Sequence, residues 1–201
     1  MPLHYLALGD SYTIGEAVPS GARWPTQLVA QLRRSGMAID APRFVAVTGW
    51  TTDELAAGID ATRLTPPYDL VSLQIGVNNQ YRGRSAGNFR GEFAALLHRA
   101  HGLAGQRAGR TVVASIPDWG VTGFGRHDRR GTARIAAELD VHNAIARDET
   151  LRVGARWVDI TGLSRRYPQL VAADGLHPSA AQYTLWLQAI VPAVRAALRC
   201  K

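Results

Sequence analysis

The sequence predicts an α/β fold, a five-stranded parallel sheet in the flavodoxin-like order 2-1-3-4-5 with helices over both faces. Three observations carry this. Apolar runs of strand length alternate with amphipathic stretches of helix length along the whole chain. The 201 residues, with a hydrophobic share of 46%, suffice for one domain over residues 1–201 with a full core. No repeat, low-complexity tract or linker interrupts the alternation.

The elements follow in order. "LHYLAL" (Leu3–Leu8) reads as the first strand. "WPTQLVAQLRR" reads as a helix, with Pro25 in the first turn, where a missing N–H costs nothing. "RFVAV" (Arg43–Val47) is the second strand, and "TTDELAAGI" opens a helix with Thr51 and Glu54 at capping-box spacing. "DLVSLQI" (Asp69–Ile75) is the third strand, followed by a helix from Asn88 to Leu103. "RTVVASI" (Arg110–Ile116) is the fourth strand, and "GTARIAAELDVHNAIARDETL" a long amphipathic helix. "ARWVDI" (Ala155–Ile160) is the fifth strand. "PSAAQYTLWLQAIVPAVRAAL" is the last helix, with Pro192 a candidate kink.

Composition narrows the function. The formal charge is +7, and every cationic side chain except Lys201 is arginine. These arginines are scattered, as in Arg33-Arg34, Arg129-Arg130 and Arg165-Arg166, with no long run interleaved with aromatics. That argues against a nucleic-acid partner and leaves attraction of an anionic substrate open. No apolar run is long enough to cross a bilayer. "MPLHYLALGDS" lacks a basic n-region and a cleavage site, so a cytoplasmic location is expected. The single cysteine, Cys200, can make neither an internal disulfide nor a Cys-based metal site. No metal-ligand spacing is present, and neither metal nor cofactor is expected.

In a sheet of this kind ligands bind beyond the carboxyl ends of the strands. Five loops converge there. Ser11 follows the first strand, in "GDSYTIGEA"; Gly49 follows the second, in "VTGWTT"; Asn78 follows the third, in "LQIGVNNQ". Asp118 and Trp119 follow the fourth, and "DGLHPS" (Asp174–Ser179) follows the fifth. Each has an ordinary reading, since Gly, Asp, Ser and Asn are all turn formers. Asp174 and His177, three apart in a turn, are spaced for the carboxylate to reach the imidazole Nδ1–H. That contact would leave Nε2 free to accept a proton. The other histidines (His4, His98, His101, His127, His142) have no comparable carboxylate. Asn78 could aim an amide N–H at the rim as an oxyanion donor, and Gly49 a backbone N–H that no Cβ shields.

Together the pieces resemble the SGNH (GDSL-type) hydrolase family. Its four blocks stand in order as "GDSYT", "VTGWTT", "IGVNN" and "DGLHPS". Two positions depart from the family's pattern: Tyr12 stands where the family's name has leucine, and Asn79 where the third block usually has aspartate. The resemblance implies a three-layer α/β/α fold that hydrolyses small-molecule esters or thioesters without metal or cofactor. It assigns Ser11 as nucleophile, His177 as general base and Asp174 as its orienting partner. The oxyanion hole would be the N–H groups of Ser11 and Gly49 with the side chain of Asn78. The chemistry of the residues agrees with that assignment. No Gly-x-Ser-x-Gly elbow is present, which argues against an α/β-hydrolase, and "GVTGFG" is not a dinucleotide fingerprint.

Tyr12, Trp50, Asn79 and Trp119 are the candidate substrate-binding residues, with Trp24 and Phe124 near the same rim; Trp157 and Trp186 are assigned to the core. Such aromatics could hold an acyl chain, stack on a sugar ring or simply pack the loops. The substrate stays open among a simple ester, a lysophospholipid, a thioester and an O-acetylated sugar. The alternative is a non-catalytic binding protein of the same fold, for a sugar or an anionic partner.

Overall fold

The strand period of two decides how the sheet is buried. In the computed structural model, which describes residues 1–107 and 109–199, all of β1 (Tyr5–Gly9) is buried. Cys200 and Lys201 lie outside the described residues. Tyr5 and Ala7 face one core, and Leu6 and Leu8 face the other. A strand covered on both sides needs apolar groups at every position, and "YLALG" supplies them.

The chain continues as α1 (Ser11–Ile14), α2 (Trp24–Arg34), β2 (Arg43–Ala46), α3 (Thr52–Ala61) and β3 (Leu70–Gln74). Then come α4 (Val77–Tyr81), α5 (Ala86–Leu103), β4 (Thr111–Ala114), α6 (Thr132–Arg152), β5 (Arg156–Val158), α7 (Thr161–Arg166) and α8 (Ala180–Arg199). The strands order as β2-β1-β3-β4-β5, every pair parallel, as the alternation predicts. In register, Gly9 lies beside Ala46 and Gln74, which brings the ends of the first three strands to one rim. A Cβ on Gly9 would lie 2.1 Å from Thr13 Oγ1 and 2.4 Å from the Gln74 carbonyl oxygen. Only glycine allows that approach.

One core is filled by Trp24, Leu28 and Leu32 of α2 and by Tyr183, Trp186 and Ile190 of α8. The other is filled by Leu55 and Ile59 of α3, by Phe89, Phe93 and Leu96 of α5, and by Ile145 of α6. Each such side chain contributes about 1.5–3 kcal/mol on burial. Among the described residues no helix is long and apolar enough to cross a membrane.

Several details differ from the sequence reading. β1 begins at Tyr5, and Leu3 makes only an isolated bridge with Ile39. Pro178 does not start the last helix: it bridges to Val171, and α8 begins at Ala180. α8 runs unbroken through Pro192. Helices α1, α4 and α7 span only 4 to 6 residues, too few to show a helical period in sequence.

Candidate active site

Asp10 turns the chain from β1 into α1. Its Oδ1 accepts the Tyr12 N–H at 3.0 Å, and its carbonyl accepts from Thr13 at 3.1 Å and Ile14 at 2.9 Å. An aspartate in this place satisfies N–H groups that a helix start leaves open. The Ser11 N–H takes part in none of these bonds. Ser11 is buried and borders a cavity of about 230 Å³. Burial pushes the Asp10 carboxyl up to about 7, against the lowering effect of the Tyr12 N–H. Its Oδ2 has no hydrogen-bond partner among the described residues.

His177 borders the same cavity. Its Nδ1 lies 2.6 Å from Asp174 Oδ2, while Asp174 Oδ1 accepts the backbone N–H of Leu176 at 2.9 Å and of His177 at 3.0 Å. Burial pushes the Asp174 carboxyl up, but the bonds from the His177 ring and from these two N–H groups outweigh it, and the carboxyl lies below its ordinary value. The turn is closed by the Ala172 N–H on the His177 carbonyl at 2.7 Å, and by the Ser179 N–H and hydroxyl on the Leu170 carbonyl, each at 3.0 Å. With Nδ1 donating to the carboxylate, Nε2 is the remaining acceptor. Tyr12 sets its ring edge-on to the imidazole at 5.8 Å, so the residue that departs from leucine supports the histidine.

The two adjacent asparagines separate cleanly. Asn78 borders the cavity, and its Nδ2 donates to the Trp50 carbonyl at 2.9 Å. An amide has a second hydrogen for another acceptor. Asn79 is fully buried and works on α3: Oδ1 accepts the Thr52 N–H at 3.1 Å, and Nδ2 donates to Thr52 Oγ1 at 2.6 Å. A carboxylate here could not donate, and it would meet Glu92, whose Oε2 lies 3.5 Å from Asn79 Nδ2. That accounts for an amide in place of the usual aspartate. Asn79 is therefore not in the cavity, contrary to its expected substrate contact.

Gly49 borders the cavity at φ +87°, and its carbonyl accepts from Arg82 Nη2 at 2.6 Å. A Cβ there would meet nothing nearer than that nitrogen at 3.9 Å. The positive φ is a reason of its own for glycine here, because L side chains rarely adopt it. Trp50 also corrects an expectation. A Cβ on Gly58 would lie 2.2 Å from its ring, so the indole packs on α3 and does not border the cavity. Trp24 likewise is buried, its Nε1 donating to Gln74 Oε1 at 3.0 Å.

Trp119 is brought into the cavity, together with Phe124 and three apolar residues that sequence reasoning missed: Val77, Tyr81 and Leu176. Val77 and Tyr81 are four apart on α4, one face of a helix, a signal that depends on knowing α4 exists. Thr48 completes the rim beside Gly49. Among the described residues no group of three His, Cys, Asp or Glu could hold a metal ion. A buried serine, an oriented imidazole and N–H groups around one cavity make up the parts of nucleophilic acyl transfer.

Residues 7–185 match the family described as GDSL-like Lipase/Acylhydrolase. No curated protein matches the sequence. Among solved structures, the chain is similar to TesA, with 16% identity, a TM-score of 0.75 and coverage of 97% of this chain and 99% of that one. It is similar to a lipase/acylhydrolase from Enterococcus faecalis, with 22% identity, a TM-score of 0.75 and coverage of 99% and 98%. A variant of an acetyl xylan esterase from Geobacillus stearothermophilus gives 18% identity, a TM-score of 0.71 and coverage of 96% and 97%. At these identities the likeness establishes the fold.

Proposed function

The chain belongs to the GDSL-like lipase/acylhydrolase family, and from that premise we propose that it hydrolyses carboxylic esters or thioesters through an acyl-enzyme on Ser11. One observation carries the assignment: His177 Nδ1 is held 2.6 Å from Asp174 Oδ2 at the cavity that Ser11 also borders.

Ser11 Oγ attacks the acyl carbonyl carbon while His177 Nε2 takes its proton. The carbonyl π electrons move to oxygen, and the resulting oxyanion accepts from the N–H groups of Ser11 and Gly49 and from the second amide hydrogen of Asn78. Collapse breaks the bond to the leaving group, which takes the proton from His177. A water then gives its proton to His177 and attacks the acyl-serine. The acid departs, and Ser11 regains its proton. Asp174 keeps the imidazole in the tautomer that accepts at Nε2 and stabilises the imidazolium.

Release of p-nitrophenol from p-nitrophenyl acetate tests this reading. The wild type should turn over, and Ser11→Ala should not, with an unchanged thermal unfolding midpoint. Hydrolysis by Ser11→Ala at the wild-type rate would overturn it.

A further inference from the structure

We propose that the cavity is a pocket for short apolar acyl chains and that Trp119 sets its depth; this rests on the serine-esterase reading above. Size is the first argument. The cavity holds about 230 Å³, whereas pockets for drug-sized ligands run from about 300 to 1,000 Å³. A cavity below that range encloses the ester carbonyl and a short tail, not a long-chain acyl group.

Chemistry is the second argument. Among the described residues no Asp, Glu, Lys or Arg borders the cavity. Val77, Tyr81, Trp119, Phe124 and Leu176 border it instead. Such a lining favours an apolar tail over an anionic or hydroxyl-rich one.

Rigidity is the third, and it singles out Trp119. Its indole N–H donates to Gln80 Oε1 at 2.9 Å, and Gln80 Nε2 donates to Glu138 Oε2 at 2.8 Å. A carboxylate only accepts, so the Gln80 amide cannot flip away from the indole without losing both bonds. The Arg130 guanidinium lies 4.9 Å from the centroids of both Trp119 and Tyr81. Asp128 pins that guanidinium through Nε at 2.8 Å and Nη2 at 2.9 Å. The Trp119 ring is 2% exposed and sits edge-on to Tyr81 at 5.4 Å. These contacts hold the indole on several sides when a longer chain arrives. Phe124, in contrast, is 44% exposed and can swing at the mouth. Trp119 is the fixed wall, and Arg130 is its positioning residue.

The test is a series of p-nitrophenyl esters from acetate to decanoate, run on the wild type, Trp119→Ala, Trp119→Phe and Arg130→Ala. While each added methylene is buried, kcat/KM should rise about fourfold. In the wild type the rise should stop within the series, before octanoate. The ratio of octanoate to acetate kcat/KM should increase at least tenfold in Trp119→Ala. It should increase less in Trp119→Phe, which keeps a ring in the core if the alanine variant does not fold, and least in Arg130→Ala. A wild type that prefers octanoate or longer, or a ratio unmoved in every Trp119 variant that folds, would overturn the proposal while leaving the esterase reading intact. No Ser11-dependent hydrolysis of any ester in the series would overturn the reading itself.

Discussion

Residues 174–179 are held mostly by near neighbours, whereas residues 118–131 lean on distant ones. In the first region the bonds that set the turn are local: Asp174 to Leu176 and His177, Ala172 to His177, Leu170 to Ser179; the long-range exception is the Phe124 N–H on the Gly175 carbonyl at 3.1 Å. In the second, Trp119 depends on Gln80 from 39 residues away and Arg130 donates to the Tyr81 carbonyl from 49 away. Asp118 pairs with Arg165, 47 residues on, at 2.8 Å. Both regions border one cavity. The difference teaches that the proposed base and its orienting partner come from a short local motif, while the proposed acyl wall is assembled by the tertiary fold. Damage to the first should appear in kcat, and damage to the second in the choice of substrate.

The largest expected effect lies in the local turn. His177→Ala removes the proposed base and should lower kcat by about 10⁴-fold or more. Asp174→Asn keeps an oxygen for the Leu176 and His177 N–H groups but presents a donor to Nδ1, which favours the wrong tautomer. It should cost no more than the histidine, and up to about 10⁴-fold. Steady-state kinetics on one ester decide this, and near-wild-type turnover in either variant would break the comparison.

Next come the paired asparagines, one on each side of the divide. Asn78→Ala should lower kcat by about 10²–10³ with KM nearly constant, because an oxyanion donor acts mainly in the transition state. Asn79→Ala should lose less in kcat and more in thermal stability, since it removes the partner of the Thr52 N–H and hydroxyl in the first turn of α3. A larger kcat loss in Asn79→Ala would move the oxyanion role by one residue.

The last effect is on stability and not on turnover, and concerns the turn that carries Ser11, which is local in sequence yet buried. The Asp10 carboxyl is raised from 3.8 to about 7 in the folded protein. A raised carboxyl favours folding when protonated. Its contribution is therefore full below the unfolded value and lost as pH rises from about 4 through about 7, by at most about 4 kcal/mol. Asp10→Asn keeps the acceptor for the Tyr12 N–H and removes that dependence. Denaturant unfolding at pH 5 and pH 8 should show a smaller loss of stability in the variant than in the wild type. An equal loss in both would show that Asp10 does not carry the slope.

The same divide explains what could be read in advance. Five strands in the order 2-1-3-4-5 were legible because apolar runs and helical stretches alternate. Asp174 and His177 were legible as a pair because a turn makes spacing equivalent to contact. Asn78 and Asn79 could not be ranked, because nothing in "VNN" says which side chain meets Thr52, 27 residues earlier in the chain. Trp50 was misplaced for a related reason: its partner is Gly58 on α3. Tyr81 was missed because the 5-residue helix α4 carries no readable period.

The central claim is that Ser11 is the nucleophile. The protein should be treated with a p-nitrophenyl alkylphosphonate, then examined by intact mass and peptide mapping. The account predicts one adduct, on Ser11, with esterase activity lost in proportion to labelling and no adduct in Ser11→Ala. An adduct on another residue with Ser11 unmodified, or full activity in the labelled protein, would contradict it.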